Sequence, residues 1–122
     1  MRQYTIKYVQ SLPLKTLKSA LFHSWKKWLW LSQLNPKKLR KLWDNKDIEV
    51  CCDDCPACRY KRLNHLKCNL CVVGPVCDIA YVEANSALEN WRYNSTETNF
   101  AKWQKKATIV AKKIEKIYKE TN

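Results

Sequence analysis

Apolar residues recur at spacings of three and four between residues 14 and 33. Leu14, Leu17, Leu21, Trp25, Trp28, Leu29 and Ser32 form one stripe, while Lys15, Lys18, Lys26 and Lys27 occupy other faces. This pattern predicts an amphipathic helix with its tryptophans turned inward. Asn35-Pro36 places a capping residue before a proline at a first helical position. A second short helix follows, carrying Leu39, Leu42 and Trp43 inward and Lys37, Lys38, Arg40 and Lys41 outward. Asp78 is a candidate cap for a third helix, with Ala80, Ala84, Ala87, Leu88 and Trp91 as its stripe. The polar run at 94–99 reads as a loop. A final helix over about 98–119, capped by Thr98 or Asn99, presents Phe100, Trp103, Ala107, Val110, Ile114 and Ile117 on one side. At the other end, residues 2–10 alternate weakly, with Tyr4, Ile6 and Tyr8 together, which predicts a short strand or an extended arm. Residues 44–50 read as a turn followed by a short strand.

Composition narrows the picture. A chain of 122 residues is one domain and buries roughly two-thirds of its surface on folding. It has no run of about 18 apolar residues, so no transmembrane helix is expected. The N-terminus lacks the basic-then-apolar order of a signal peptide, which predicts a cytoplasmic protein. The formal charge is +12 and unevenly spread. Residues 1–43 hold ten Lys or Arg and no Asp or Glu, and seven lysines fall between Lys102 and Lys119. Five of the eleven acids (Asp44, Asp47, Glu49, Asp53, Asp54) cluster just before the cysteines. So basic a protein attracts polyanions such as nucleic acid, or the acidic face of a protein.

Five of the seven cysteines lie in one short window: Cys55-Pro-Ala-Cys58, Cys68-Asn-Leu-Cys71 and Cys77. Two Cys-x-x-Cys pairs across a short loop offer four thiolates, which suits a tetrahedral Zn²⁺ ion; an iron–sulfur cluster and disulfides are the alternatives. The first-choice ligands are Cys55, Cys58, Cys68 and Cys71. Cys77, beyond the Gly74-Pro75 turn, is an alternate for Cys68. His65 is expected on the loop surface, and Cys51 and Cys52 as ordinary thiols beside the clasp. A closed shell of four sulfurs leaves no open position for water, so the metal would be structural.

These elements predict a mainly α fold, with four helices around a central zinc-knuckle loop and a short N-terminal strand. The domain divides into an arm and two helices (1–50), the clasp (51–77) and two further helices (78–122). Catalytic signatures are missing. Gly74 is the sole glycine, which excludes a glycine-rich phosphate loop, and the two histidines, His23 and His65, are thin material for acid–base chemistry. The chain does not read as an enzyme. Most of its six tryptophans fall on core faces. Trp30 falls off the stripe beside Lys26 and Lys27, as an exposed anchor for a partner would. Arg59, Tyr60, Lys61 and Arg62 interleave aromatic and basic groups at the clasp tip, an arrangement suited to stacking on bases or to an acidic patch.

The order of these features resembles that of a widespread group of small bacteriophage proteins, over roughly residues 18–118. It comprises a helix containing Ala20-Leu-Phe-His-Ser-Trp25, two Cys-x-x-Cys pairs, one further cysteine, an Ala/Trp helix and a lysine-rich terminal helix. The chain departs from the group in having Val72 after the second pair, where proline is common. It also has Asp78-Ile79-Ala80-Tyr81 after Cys77, where Thr-Pro-Tyr is frequent. The resemblance implies a zinc-stabilised binding protein in the cytoplasm of an infected bacterium. Its implied partner is a host nucleoprotein, most concretely a Cas effector whose DNA loading or cleavage it would block. A basic nucleic-acid-binding module or host-takeover regulator is the alternative.

Overall fold

A computed structural model describes residues 2–49, 55–63 and 74–121. The chain is mainly helical, as the periodicity predicts, and no strand occurs among the described residues. The N-terminal segment runs instead into a short helix, α1 (Ile6–Ser11). Thr5 stays extended and its Oγ accepts the Tyr8 N–H at 3.3 Å, a cap that outweighs the weak alternation. α2 (Leu17–Gln33) starts three residues later than its stripe suggests, because Thr16 caps it by accepting the Ser19 N–H. Leu14, buried at φ 41°, lies in the left-handed region and cannot continue a right-handed helix.

α3 (Pro36–Asp44) has Asn35 as cap and Pro36 in its first turn, as expected. It ends in a Schellman motif: Lys46 N–H donates to the Trp43 carbonyl at 3.0 Å and Asp47 N–H to the Leu42 carbonyl at 2.9 Å. Lys46 therefore takes the left-handed position, φ 57°, that glycine usually fills. No strand follows over 47–49. Instead the Asp47 carbonyl accepts the Ile6 N–H at 2.8 Å and ties the end of α3 to the start of α1.

α4 (Pro56–Leu63) occupies part of the region expected to be loop. Helix then resumes at α5 (Gly74–Val76), passes through a π-type turn (Cys77–Tyr81) and runs on as α6 (Val82–Tyr93). Asp78 is thus inside the helical run rather than its cap. Gly74-Pro75 opens the run rather than turning the chain, since proline is at ease in a first helical turn. α7 (Glu97–Glu120) is capped by Thr96, whose Oγ accepts the Asn99 N–H at 3.1 Å, two or three residues before the expected caps. Among the described residues, α1, α4 and α5 stand beside the helices that the periodicity predicts, so the chain is mainly helical but is not the simple four-helix arrangement expected.

α2 packs along α7, α6 lies on the other flank of α7, and α4 crosses α2. Ala20, Leu21, Trp28 and Leu31 of α2 and Trp103, Ala107, Val110 and Ile114 of α7 are essentially inaccessible. Ala84, Leu88 and Trp91 of α6 close the core. Because α2 is covered by both α7 and α4, its buried surface is wider than one stripe. Trp30, 6% exposed, and Lys27, 1% exposed, are therefore interior rather than partner-facing, and the expected Trp30 anchor is withdrawn. α3 and α6 exchange cation–ring contacts: the Arg40 guanidinium of α3 lies 4.8 Å from the Trp91 ring of α6, and that of Arg92 of α6 lies 5.4 Å from Trp43 of α3. Lys18 binds the end of α7, donating to the Tyr118 and Thr121 carbonyls, where a cation also meets the negative end of the helix dipole.

The N-terminal arm is held by aromatic packing. Tyr4 is buried, its phenol 2.9 Å from His23 Nδ1, and its ring stands edge-on to Tyr8. Burial pushes the Tyr4 phenol up to about 12 and holds the His23 imidazolium below its ordinary range. The neutral imidazole is therefore the form that accepts from Tyr4. Between its depressed folded value and the unfolded value of about 6.5, the folded state binds fewer protons, so stability falls as pH drops through that window. Thermal unfolding scanned from pH 7.5 downward should show this loss beginning near pH 6.5, and His23→Gln should flatten the profile there relative to the parent chain.

Candidate functional site

The first cysteine pair sits at the start of α4. Cys55 precedes the helix and Cys58 lies in its first turn; both are buried. Ser24 on α2 reaches across to them. Its Oγ accepts the Ala57 N–H at 2.9 Å, so a residue remote in sequence supplies the N-terminal cap of α4, and it lies 3.5 Å from Cys55 Sγ. Lys27, one turn along the same α2 face, is buried for this reason.

Tyr81, at the end of the π-type turn, approaches the same sulfur from the opposite side at 3.2 Å. The Trp28 ring packs on the Tyr81 ring, with centroids 4.9 Å apart. Burial, and then the Cys55 charge, drive the Tyr81 phenol well above its ordinary value, and the charge of Cys77 adds to this. Cys55 Sγ thus has hydroxyls on two sides, the acceptor environment that a metal-held sulfur uses. Cys77, half-buried, is close enough for its charge to be felt at the same phenol.

Of the expected clasp, Cys55, Cys58 and Cys77 are among the described residues. Cys68, Cys71 and His65 lie outside the described residues, as do Cys51 and Cys52. Among the described residues, no group of three or more Cys, His, Asp or Glu gathers as a metal site. The basic run expected at a loop tip is on α4 instead: Arg59, Tyr60 and Lys61 are half-buried there, and Arg62 lies on the last turn of the same helix. Arg59 Nε is buried without a hydrogen-bond partner among the described residues. Lys26 remains at the surface, over the rings of Trp25 at 4.1 Å and Phe22 at 5.5 Å.

The structure also assembles a basic pocket that periodicity does not reveal. The Ile6–Asp47 bond and the Schellman turn bring α1 against α3, and between them lies a cavity of about 460 Å³. Lys7, Lys38, Lys41 and Lys46 converge on it, with Gln3, Gln10 and Asn45 as neutral polar neighbours. Among the described residues, Asp47 is the one carboxylate lining it. The sequence signal was the absence of acids before residue 44; which of those cations share a cavity depends on the chain reversal at Lys46.

No protein-family model, curated protein or solved structure matches this chain. Among the described residues, no helix is long and apolar enough to cross a membrane.

Ser24→Ala would leave the buried Ala57 N–H without an acceptor and remove one neighbour of Cys55. Such a loss costs about 1–3 kcal/mol, which denaturant unfolding should register as a lower midpoint at unchanged slope.

Proposed function

We propose that this protein is a non-enzymatic nucleic-acid-binding protein that grips phosphates through its basic surfaces. The observation that carries the reading is the pocket between α1 and α3, where Lys7, Lys38, Lys41 and Lys46 converge against a single carboxylate. Lysine ammonium groups brought together without matching acids repel one another, and a row of phosphates relieves that repulsion while releasing condensed counterions. Lys46 strengthens the argument, because its positive φ is a conformation in which glycine would be less strained. The same surface serves an inhibitor that occludes the nucleic acid of a host nucleoprotein, the reading implied by the phage resemblance.

Fluorescence anisotropy with a labelled oligonucleotide tests this. Affinity should fall steeply with salt. Combining Lys38→Gln, Lys41→Gln and Lys46→Gly should weaken binding by roughly tenfold or more and lower the salt slope by about one per lysine removed. Lys46→Gly relieves the left-handed residue, so a loss of binding by that variant is not a loss of folding. Binding absent at low salt, or indifferent to these substitutions, would count decisively against the reading.

A structural zinc ion completes the proposal. Cys55 and Cys58 fit one edge of a tetrahedral site, with Cys68 and Cys71 as its other ligands and Cys77 as the alternate. The two hydroxyls beside Cys55 Sγ are the supporting observation. The ion would supply no reaction; it would join α4 to the chain that follows, and such sites add about 10 kcal/mol of apparent folding energy. Native mass spectrometry with elemental analysis should find one zinc per chain, lost in Cys55→Ser along with thermal stability. A reduced sample that is metal-free and equally stable removes this part.

A further inference from the structure

A second cavity, of about 430 Å³, lies on the other side of the N-terminal arm. It is lined by Arg2, Tyr4, Tyr8, Phe22, His23 and Lys26. Its rings are in mutual contact: Tyr4 and Tyr8 centroids are 5.2 Å apart, Tyr4 and His23 5.9 Å, and Phe22 and His23 5.4 Å. Tyr8, Phe22 and His23 are half-buried and keep ring surface toward the opening. The Arg2 guanidinium sits 5.2 Å from the Tyr8 ring and the Lys26 ammonium 5.5 Å from Phe22. Among the described residues, no carboxylate lines the cavity.

Those contents restrict the occupant. Arg2 and Lys26 repel a cationic ligand, and a sugar would need carboxylates or amides that this wall lacks. A flat π-system attached to an anion satisfies both the rings and the cations, and an unstacked nucleobase with its phosphate is such a group. The cavity also shares its supporting segment with the lysine pocket. Arg2, Tyr4 and Tyr8 face this one, while Thr5, Ile6, Lys7 and Gln10 face the other. One stretch of arm and helix, residues 2–10, therefore contributes to both a stacking surface and a phosphate-binding surface.

We infer that this aromatic cavity takes an exposed base of a single-stranded nucleic acid whose neighbouring phosphates occupy the lysine pocket. The inference rests on the nucleic-acid reading above and makes it more specific. Bases in a duplex are already stacked and cannot enter, so the protein discriminates strandedness rather than sequence. Tyr8 and Phe22 supply the stacking faces, and Arg2 and Lys26 the charge beside the base.

The test compares labelled single strands and duplexes of the same sequence by anisotropy, for the parent chain, Tyr8→Leu, Phe22→Leu and Tyr8→Phe. Leucine keeps apolar bulk while removing the ring, and thermal unfolding of each variant checks that the arm stays docked. Single strands should bind about tenfold or more tighter than duplexes. Each leucine variant should lose roughly 5- to 100-fold for single strands only, and Tyr8→Phe should retain parent affinity. Adenosine monophosphate alone should shift the ring resonances of Phe22 and His23. Single strands bound equally well by the folded leucine variants would overturn this inference and leave the lysine-pocket reading standing. No binding of either nucleic acid, with no shifts from the mononucleotide, overturns both.

Discussion

Everything in this molecule is referred to α2, which packs against α7 along one side and against α4 on another. α7 covers the Leu21, Trp28 and Leu31 side, and α4 covers the side that carries Ser24 and Lys27. The pairing with α7 is the larger hydrophobic seam, joined at its middle by the Trp28 and Trp103 rings, whose centroids are 6.2 Å apart. The pairing with α4 is polar and local: one serine oxygen caps a helix and touches a cysteine. Its other edges hold the arm through Tyr4 and His23, and the end of α7 through Lys18. α2 thus supplies Phe22, His23 and Lys26 to the aromatic cavity and Ser24 to the first cysteine pair.

That central role explains which parts of the structure could be read from the sequence. α3 and the long terminal helix show clear periodicity, proline placement and polar breaks, and they fold close to where these fall. The core tryptophans Trp28, Trp91 and Trp103 were equally plain, since each recurs with aliphatic partners at helical spacing. Trp30 and Lys27 misled because a single-stripe view assigns one buried face to a helix, and α2 has two. The arm misled differently. Its alternation of Tyr4, Ile6 and Tyr8 is real, yet a threonine cap and one backbone bond to Asp47 select a helix over six residues.

The candidate surfaces were legible in part. An acid-free stretch of 43 residues announces a basic face, but the gathering of particular lysines depends on a lysine taking a glycine-like conformation after α3. Nothing in composition announces that. The cysteine spacing was plain, whereas the contacts of Cys55 were not, because Ser24 and Tyr81 lie 31 and 26 residues away in the chain. The aromatic–basic run at 59–62 looked like a loop tip only because Pro56 was taken as part of a knuckle. Proline in a first turn is as much a helix opener as a turn former.

The π-type turn at Cys77–Tyr81 has a mechanical meaning. A wider turn holds one residue more than α-helical winding accommodates, so the rows of side chains before and after it are out of phase. Val76 and Tyr81 both reach the interior, while Cys77 is left at the margin, half in solvent. Tightening that turn to ordinary α winding would rotate everything ahead of it by about a quarter revolution, roughly 100°. The cysteine would then swing relative to a phenol anchored on the far side of the turn. The register of the helical run thus shifts by one residue between Cys77 and the buried face that carries Ala84, Leu88 and Trp91.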